Sequence, residues 1–443
     1  MNMMSPTIFA LSSGNGTAGV AVIRVSGPDL APIIATLGLG ALPPRAARLV
    51  KISDPATHDQ IDSGLALFFP APRSYSGEDV LELHVHGGRA VVAAALGALS
   101  RIDGCRLAEA GEFTRRAFHN GKLDLTQAEA ISDLVDAETE AQRKQAMRGF
   151  DKVIYETFKL WRGQLVGGMA LMEASLDFSD EADVAADAVN QARGLVTKLH
   201  AEIAASLNDG RRGEILRDGF KVVIAGPPNA GKSSLLNALA RRDVAIVSPE
   251  PGTTRDVVEA RLDLGGYPVI VSDTAGIRAN PQGAVEAEGI RRSLARAAEA
   301  DLVIWLIDVG APQPTPQELQ GQAVEVEPVL NKIDLAEVPD DWQGSAISTR
   351  TGDGLNELLN FIALRAATGL QTDEPPLITT ARQRALVVAA QSSLTAFLAG
   401  DRAQPELRAE DLRQAAQSLG RISGRVDNED VLDQVFGKFC IGK

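Results

Sequence analysis

Residues 221–239 read KVVIAGPPNAGKSSLLNAL. The first five are an apolar run typical of a buried strand, and the last six suit a helix. The pattern G-x-x-x-x-G-K-S lies between them, from Gly226 to Ser233. In such a turn, backbone N–H groups close around phosphate oxygens, and the dipole of the following helix favours their charge. The stretch therefore predicts a P-loop, in which Lys232 reaches the β- and γ-phosphates and the Ser233 hydroxyl coordinates Mg²⁺. A glycine-rich turn without function is the alternative, which the strand, helix and lysine together disfavour.

Three further motifs follow in the order typical of guanine-nucleotide domains. Residues 273–276 (DTAG) close a second apolar strand, where the Asp273 carboxylate can hold magnesium through water. In residues 331–334 (NKID), the Asp334 carboxylate can accept hydrogen bonds from the ring N–H and the exocyclic amine of guanine. Adenine has neither donor there and would leave that buried carboxylate unpaired. Residues 348–350 (STR) stand where GTPases carry a short loop behind the base, with Thr in place of Ala. The four motifs predict a domain that binds GTP.

The region between the P-loop and Asp273 carries a predicted switch. Residues 252–256 read GTTRD, where a threonine can close over Mg²⁺ when the γ-phosphate is present. The residue after Gly276 is Ile277, whereas Ras-like proteins place a water-orienting glutamine there. Isoleucine cannot polarise water, so the catalytic group must come from elsewhere.

Composition narrows the class of protein. The 443 residues argue for about three domains, and 45% hydrophobic with 23% charged residues excludes a disordered chain. A net charge of −14 argues against general coating of nucleic acid, although a local basic patch is allowed. The two cysteines, Cys105 and Cys440, are too few for a disulfide framework or a Cys-rich zinc site and suit the reducing cytoplasm. With no basic leader and no apolar run of ~18 residues, the sequence predicts neither a signal peptide nor a membrane span.

The chain shows three kinds of residue pattern in successive segments. Residues 7–120 mix glycine, proline and short β-rich runs, which predicts an α+β domain. Residues 124–208 are helical in pattern, and from about 219 to 370 apolar strands alternate with helical segments, as in a parallel sheet covered on both faces. One long helix is predicted from an apolar stripe at spacings of 3 and 4, made of Met147, Phe150, Ile154, Phe158, Trp161, Leu165, Met169 and Met172. Helical pattern returns near the C-terminus, so the α/β domain is predicted to be inserted into one helical domain.

The predicted fold class is thus a multidomain α/β plus α protein. Residues 1–122 are expected to form the N-terminal α+β domain, and residues 123–215 the first part of the helical domain. Residues 216–370 are expected to form the inserted P-loop domain, and residues 371–443 the second helical part with a C-terminal tail.

Several motifs resemble those of known families. Asn229, residues 252–256 and residues 273–278 resemble the TrmE–Era–EngA–septin group of GTPases. The flanking domains are similar to the MnmE/TrmE family, the tRNA uridine 5-carboxymethylaminomethyl modification GTPases. The similar segments are GEDVLE at 77–82, GEFTRRAF at 111–118, NGKLDL at 120–125, QAEA at 127–130 and CIGK at 440–443. The resemblance covers essentially the whole chain.

That family resemblance implies an activity, cofactors and partners. The family couples GTP hydrolysis to addition of a carboxymethylaminomethyl or aminomethyl group at carbon 5 of the wobble uridine of certain tRNAs. Its members form homodimers and assemble with a flavin-dependent partner, which uses FAD and NADH, into a heterotetramer or larger complex. The one-carbon donor is 5-formyl- or 5,10-methylene-tetrahydrofolate. The implied fold is a folate-binding, dimerising N-terminal domain, a helical domain and an inserted G domain.

The resemblance also implies a K⁺ site and a catalytic glutamate. Asn229 would hold K⁺ with Ser248, Glu250 and Thr253, and the ion would replace an arginine finger when two G domains meet. Residues 248–251 (SPEP) depart from the usual loop, which matters for side-chain ligands but little for backbone carbonyl ligands. Glu286 matches the catalytic glutamate. An insertion near residues 280–282 leaves Glu288 as an alternative alignment, and a solvated helix residue is the other interpretation of Glu286.

The predicted site residues fall into two groups. Arg24, Glu82, Lys122 and Lys443 match the folate-binding residues of the family, with a carboxylate for the pterin edge and cations for the glutamate carboxylates; Cys440 is a candidate reactive thiol. Ser233 and Thr254 are the predicted Mg²⁺ ligands, and Lys232 and Glu286 the catalytic residues. The predicted GTP-binding residues are Asn229, Ala230, Gly231, Lys232, Ser233, Ser234, Ser248, Thr253, Thr254, Asp273, Thr274, Ala275, Gly276, Asn331, Lys332, Asp334, Ser348, Thr349 and Arg350.

Two alternative functions remain open at this stage. One is a ribosome-assembly or signalling switch of the Era or EngA kind, although neither a basic element centred on G-x-x-G nor a basic tail follows Leu370. The other is a folate enzyme in which GTP only regulates.

Overall fold

The computed structural model describes residues 6–14, 16–177, 182–209, 211–242, 244–246, 259–273, 300–320, 324–368, 376–401, 404–424 and 429–443. The chain divides into two compact units. The first, here the N-terminal unit, comprises Met1–Ser132, Gly149–Arg162 and Gln417–Lys443, and the larger unit comprises Asp133–Arg148 and Gly163–Ala416. Of the helices described, none combines the length and the hydropathy that crossing a bilayer requires.

The N-terminal unit is built on a six-stranded sheet in the order β3-β4-β5-β2-β1-β6. Neighbouring strands are antiparallel except β1 and β6. Successive side chains of a strand point to opposite faces of the sheet. Phe9, Ile23 and Leu83 lie on the face covered by the helices Ala31–Thr36 and Arg89–Ser100, and Ile8 packs against Phe113 on the opposite face. The elements are β1 (Thr7–Leu11), β2 (Ala18–Gly27), α1 (Ala31–Thr36), β3 (Arg48–Ser53), β4 (Gln60–Phe69), β5 (Asp79–Gly87), α2 (Arg89–Ser100), β6 (Cys105–Leu107) and α3 (Glu112–His119).

The end of the chain folds back onto this unit. The last helix packs its buried Leu432 and Phe436 against Leu125, and Arg115 Nη1 donates to Asp433 Oδ1 at 2.9 Å. The tail then reaches the end of strand β1, where the Oγ of the next residue, Ser12, donates to the Gly442 carbonyl at 2.7 Å. The residues that directly precede Lys443 are therefore held beside β1.

The helical domain contains more breaks than the sequence predicts. Its helices are α4 (Leu125–Asp136), α5 (Glu140–Phe150), α6 (Val153–Asp177), α7 (Ala182–Leu207), α8 (Arg212–Asp218) and, after the G domain, α12 (Ala381–Ala399), α13 (Pro405–Ile422) and α14 (Glu429–Phe436). Within the larger unit, α7 and α12 pack together, and Arg193 Nη2 donates to the Leu398 carbonyl at 2.6 Å. A helix that precedes the G domain in sequence and a helix that follows it therefore pack against each other.

The prediction of one long helix through the apolar stripe is wrong at its N-terminal end. Helix α5 ends at Phe150 and α6 begins at Val153, because Lys152 adopts a left-handed φ of +66°. The break restarts the helical phase, so Phe150 is 40% exposed. From Ile154 onward the stripe faces the core, with Phe158, Trp161, Leu165 and Met172 buried and Met169 half-buried.

The G domain is a six-stranded sheet in the order β12-β11-β10-β7-β9-β8. All pairs are parallel except β8 with β9, which are antiparallel. The predicted architecture, an α+β N-terminal domain, a helical domain and an inserted domain with a mostly parallel sheet, is confirmed. The elements are β7 (Phe220–Ala225), α9 (Lys232–Ala240), β8 (Glu259–Leu264), β9 (Tyr267–Asp273), β10 (Leu302–Asp308), α10 (Gln317–Gln320), β11 (Glu325–Asn331), β12 (Ser345–Ile347) and α11 (Leu355–Thr368).

This topology gathers polar residues at one edge. Strand β7 lies between β9 and β10, and β11 follows β10. The carboxyl ends of these parallel strands therefore face the same way, and they lead into Gly226, Asp273, Asp308 and Asn331.

Candidate nucleotide-binding site

The P-loop backbone needs glycine at two places. Gly226 has a φ of +150°, and a Cβ there would lie 2.5 Å from the Leu306 carbonyl oxygen. Gly231 has a φ of +100°, and its Cβ would lie 2.4 Å from Asn331 Nδ2. Both distances are shorter than any contact a side chain tolerates, so the loop is fixed close to β10 and β11. Helix α9 begins immediately after, at Lys232, and directs its first N–H groups into the loop.

The Lys232 ammonium lies over its own loop. Its Nζ donates to the carbonyl oxygens of Gly226 and Pro227, each at 2.9 Å. Burial lowers the pKa of Lys232, and the negative charge of Asp273 opposes that shift. Burial removes water from the ammonium, and the negative charge of a phosphate in the loop would offset that lost hydration.

A hydroxyl and a carboxylate meet beside the P-loop. Ser233 Oγ donates to Asp273 Oδ2 at 2.6 Å, and Asp273 is almost fully buried. Hard oxygen donors of this kind are what Mg²⁺ prefers, usually with several waters retained. The pair fits a magnesium site in which Ser233 is a direct ligand and Asp273 acts through water.

Asn331 joins three segments of the site. It is fully buried, and its Nδ2 donates to the Ala230 carbonyl at 2.7 Å. Its Oδ1 accepts from the Thr349 backbone N–H at 3.3 Å. The asparagine of the NKID motif therefore holds the P-loop and the loop behind the base in register.

Lys332 lies at the edge of the same site. It adopts a left-handed φ of +68°, and its Nζ donates to Asp308 Oδ2 at 2.6 Å. This ion pair lowers the pKa of Asp308. Sequence reasoning missed Asp308, although its place at the carboxyl end of β10 was the available signal.

The Asp334 carboxylate is held by two neighbours. Oδ1 accepts from Ser348 Oγ at 2.6 Å, and Oδ2 accepts from Arg350 Nε at 2.7 Å. The Ser348 hydrogen bond, followed by Arg350, lowers the pKa of Asp334, so the group stays ionised. Each carboxylate oxygen keeps a second lone pair, which leaves acceptors for a base with two N–H donors.

The structure therefore brings together the described members of the predicted nucleotide site. Asn229, with a φ of +64°, and Ser234 lie in the P-loop and the first turn of α9. Asn229 is the one predicted K⁺ ligand among the described residues. The other predictions lie outside the described residues: Ser248, Glu250, Thr253, Thr254, Thr274, Ala275, Gly276 and Glu286.

The N-terminal unit brings together a second group of predicted residues. Arg24 and Glu82 are register partners on β2 and β5, and Arg24 Nε and Nη2 donate to Glu82 Oε1 at 3.0 and 2.9 Å. The Arg24 guanidinium lies 5.0 Å from the centre of the Tyr75 ring. Lys122 lines a cleft with Tyr75, and Lys122 Nζ donates to the Pro72 carbonyl at 2.9 Å. Cys440 is exposed in the tail that ends at Lys443.

Comparisons with known proteins cover the whole chain. A family model described as "MnmE helical domain" matches residues 125–440, and one described as "GTP-binding protein TrmE N-terminus" matches residues 7–122. The curated tRNA modification GTPase MnmE of Parvibaculum lavamentivorans is 52% identical, over 99% of this chain and 100% of that protein. The MnmE of Rhodopseudomonas palustris is 50% identical over 100% of both chains, and that of Methylobacterium radiotolerans 48% over 99% of both.

Proposed function

The chain belongs to the MnmE family of tRNA modification GTPases, and we propose that it hydrolyses GTP to drive modification of tRNA. The reaction adds a carboxymethylaminomethyl or aminomethyl group to carbon 5 of the wobble uridine of certain tRNAs. A flavin-dependent partner, using FAD and NADH, and a one-carbon tetrahydrofolate supply the group. We place the reaction in the cytoplasm.

One observation carries the GTPase part of the proposal. Lys232, the Ser233–Asp273 pair and Asp334 lie at the same edge of the G-domain sheet, and Asn331 ties their loops together. These groups match a triphosphate, a divalent ion and a guanine in the order in which GTP presents them. An ATP site would not need an ionised, hydrogen-bonded carboxylate at the position of Asp334.

Different residues of the chain have different roles in hydrolysis. The N–H groups of the P-loop and Lys232 bind and orient the phosphates, and Ser233 with Thr254 would hold Mg²⁺. Asn229 with Ser248, Glu250 and Thr253 would hold K⁺, which supplies positive charge beside the β–γ bridge when two G domains meet. Glu286 is the proposed catalytic group that handles the attacking water, because Ile277 cannot.

Turnover should depend on the identity of the monovalent cation. Replacing K⁺ by Na⁺ at equal ionic strength should slow GTP hydrolysis by about tenfold or more. Na⁺ in the same site would hold its positive charge away from the position where negative charge develops in the transition state. GTP affinity should change little. Steady-state phosphate release in matched KCl and NaCl buffers measures this, and equal rates would show that the K⁺ assignment is wrong.

The N-terminal unit supports the folate and dimer parts of the proposal. Glu82 gives Oε1 to Arg24, and its Oε2 lies 3.5 Å from His84 Nε2. Oε2 keeps lone pairs that can accept hydrogen bonds from an amide–amine edge such as that of a pterin. Arg24, Glu82, Lys122 and Lys443 are the proposed folate-binding residues. Leu49 and Leu65 are direct cross-strand partners that are 73% and 41% exposed, which suits a face covered in a homodimer.

Nucleoside analysis of tRNA tests the proposed function most directly. A strain lacking the gene should lose the 5-substituted wobble uridine from its tRNA, with the mass of unmodified uridine in its place. Expression of the wild-type chain should restore it. Unchanged nucleosides with a ribosome-assembly defect would instead favour the Era or EngA kind of switch. Restoration by a variant unable to bind GTP would favour a folate enzyme in which GTP only regulates.

A further inference from the structure

A basic cleft borders the proposed folate-binding residues. Its volume is about 720 Å³, within the range of small-molecule sites, and its lining residues are Arg45, Phe69, Arg73, Ser74, Tyr75 and Lys122. Two of these connect it to the folate proposal, since Lys122 is one of the proposed residues and Tyr75 lies under the Arg24 guanidinium. The cleft is therefore an extension of that site.

The three cations of the cleft have no acidic partners. Among the described residues, neither Arg45, Arg73 nor Lys122 forms an ion pair, whereas Arg24, Arg106 and Arg116 of the same unit do. The polar contacts of Arg45 and Lys122 are to backbone carbonyls, with the Arg45 guanidinium donating to the Arg73 carbonyl and Lys122 to that of Pro72. In a protein of net charge −14, three cations without an acidic partner in the described part of the chain thus line one cleft.

The cleft walls add a preference for flat groups. The centre of the Phe69 ring lies 5.8 Å from the Arg45 guanidinium, and Tyr75 is fixed by a 2.8 Å hydrogen bond between its hydroxyl and Thr114 Oγ1. Arg45 is set by a backbone hydrogen bond to the Phe68 carbonyl at 2.8 Å. The matching ligand carries an aromatic ring followed by several carboxylates, because guanidinium groups bind carboxylates through paired N–H donors.

We propose that this cleft binds the γ-linked glutamyl tail of the folate, so that the protein prefers oligoglutamyl over monoglutamyl folates. The inference rests on the proposed function, since it extends the same folate site. Each added γ-glutamyl residue contributes one carboxylate, and Arg45 and Arg73 offer the unpaired cations to receive them. The guanidinium groups are exposed, so each contact is worth only a modest, salt-dependent gain in affinity.

Equilibrium binding to the full chain tests this proposal. 5-Formyl-tetrahydrofolate with five glutamyl residues should bind about five- to tenfold more tightly than the form with one, and the ratio should shrink as salt rises. In the double variant Arg45→Gln, Arg73→Gln the ratio should fall to about one, with monoglutamyl affinity within about twofold of wild type. Arg48→Gln, which changes an exposed arginine of β3 outside the cleft, is the matched control and should keep the full ratio.

Each of the following outcomes would overturn the proposal. Equal affinities of the two folates for the wild-type chain, or a preference that survives in the double variant, would contradict the inference and leave the folate site itself intact. A double variant that keeps the preference but loses affinity for tRNA would assign the cleft to the nucleic acid. No binding of either folate to wild type would overturn the folate part of the proposed function and this inference with it.

Discussion

Lys232→Ala should abolish GTP hydrolysis and weaken GTP binding by roughly 30-fold to several thousandfold. Removing one partner of a buried, hydrogen-bonded charge pair costs about 2–5 kcal/mol. The effect should be large here because burial already penalises the Lys232 ammonium, and a phosphate is the ligand that compensates it. Calorimetry with a non-hydrolysable GTP analogue and steady-state phosphate release measure the two effects.

Two controls separate this loss from misfolding. Lys232 Nζ also donates to the Gly226 and Pro227 carbonyls, so thermal unfolding of the variant should be compared with wild type. Lys198→Ala removes an exposed lysine of α7 and should leave both binding and turnover unchanged. A Lys232→Ala protein that folds and hydrolyses GTP at the wild-type rate would show that the P-loop assignment is wrong.

Asp334→Asn should exchange guanine specificity for xanthine specificity. The ionised carboxylate would accept from two N–H groups of guanine, whereas an asparagine would turn a donor toward one of them. Losing charge-assisted hydrogen bonds to both N–H groups should lower GTP affinity on the order of 10²- to 10⁴-fold. Xanthine carries a carbonyl where guanine carries its exocyclic amine, so the variant should bind the xanthine nucleotide more tightly than wild type does.

The neighbours of Asp334 provide the control for that exchange. Ser348 and Arg350 already hydrogen-bond the carboxylate, so part of any loss could come from a disturbed loop. Arg350 is 70% exposed, and Arg350→Gln should weaken GTP binding by no more than a few fold. Equal affinity of the Asp334→Asn variant for the guanine and xanthine nucleotides would place base recognition in another part of the site.

Much of the nucleotide site could be predicted from the sequence, because each of its motifs is contiguous and its chemistry is local. The P-loop, Asp273 and Asp334 each follow a recognisable apolar strand. The contacts that join the motifs were not predictable. Asn331 reaches Ala230 across 101 positions of the chain, and the partner of Lys332 is an aspartate that belongs to no motif.

Three features of the fold could likewise not be predicted from local sequence patterns. The apolar stripe predicted one helix through residues 147–172, but periodicity does not record the left-handed Lys152 that divides it. The tail that reaches β1 at Ser12 depends on a contact between residues 430 positions apart, and no local pattern contains such information. The ion pair of Arg24 with Glu82 likewise depends on strand register rather than on either residue's surroundings in the sequence.

Guanine selection by the G domain can be measured by titration calorimetry of the wild-type chain with GTP and with ATP, each as a non-hydrolysable analogue with Mg²⁺. We expect saturable binding of the guanine nucleotide and an affinity for the adenine nucleotide lower by at least about 10²-fold, since adenine has no N–H donors for the remaining lone pairs of Asp334. Equal affinity for the two nucleotides, or no binding of either, would contradict guanine selection.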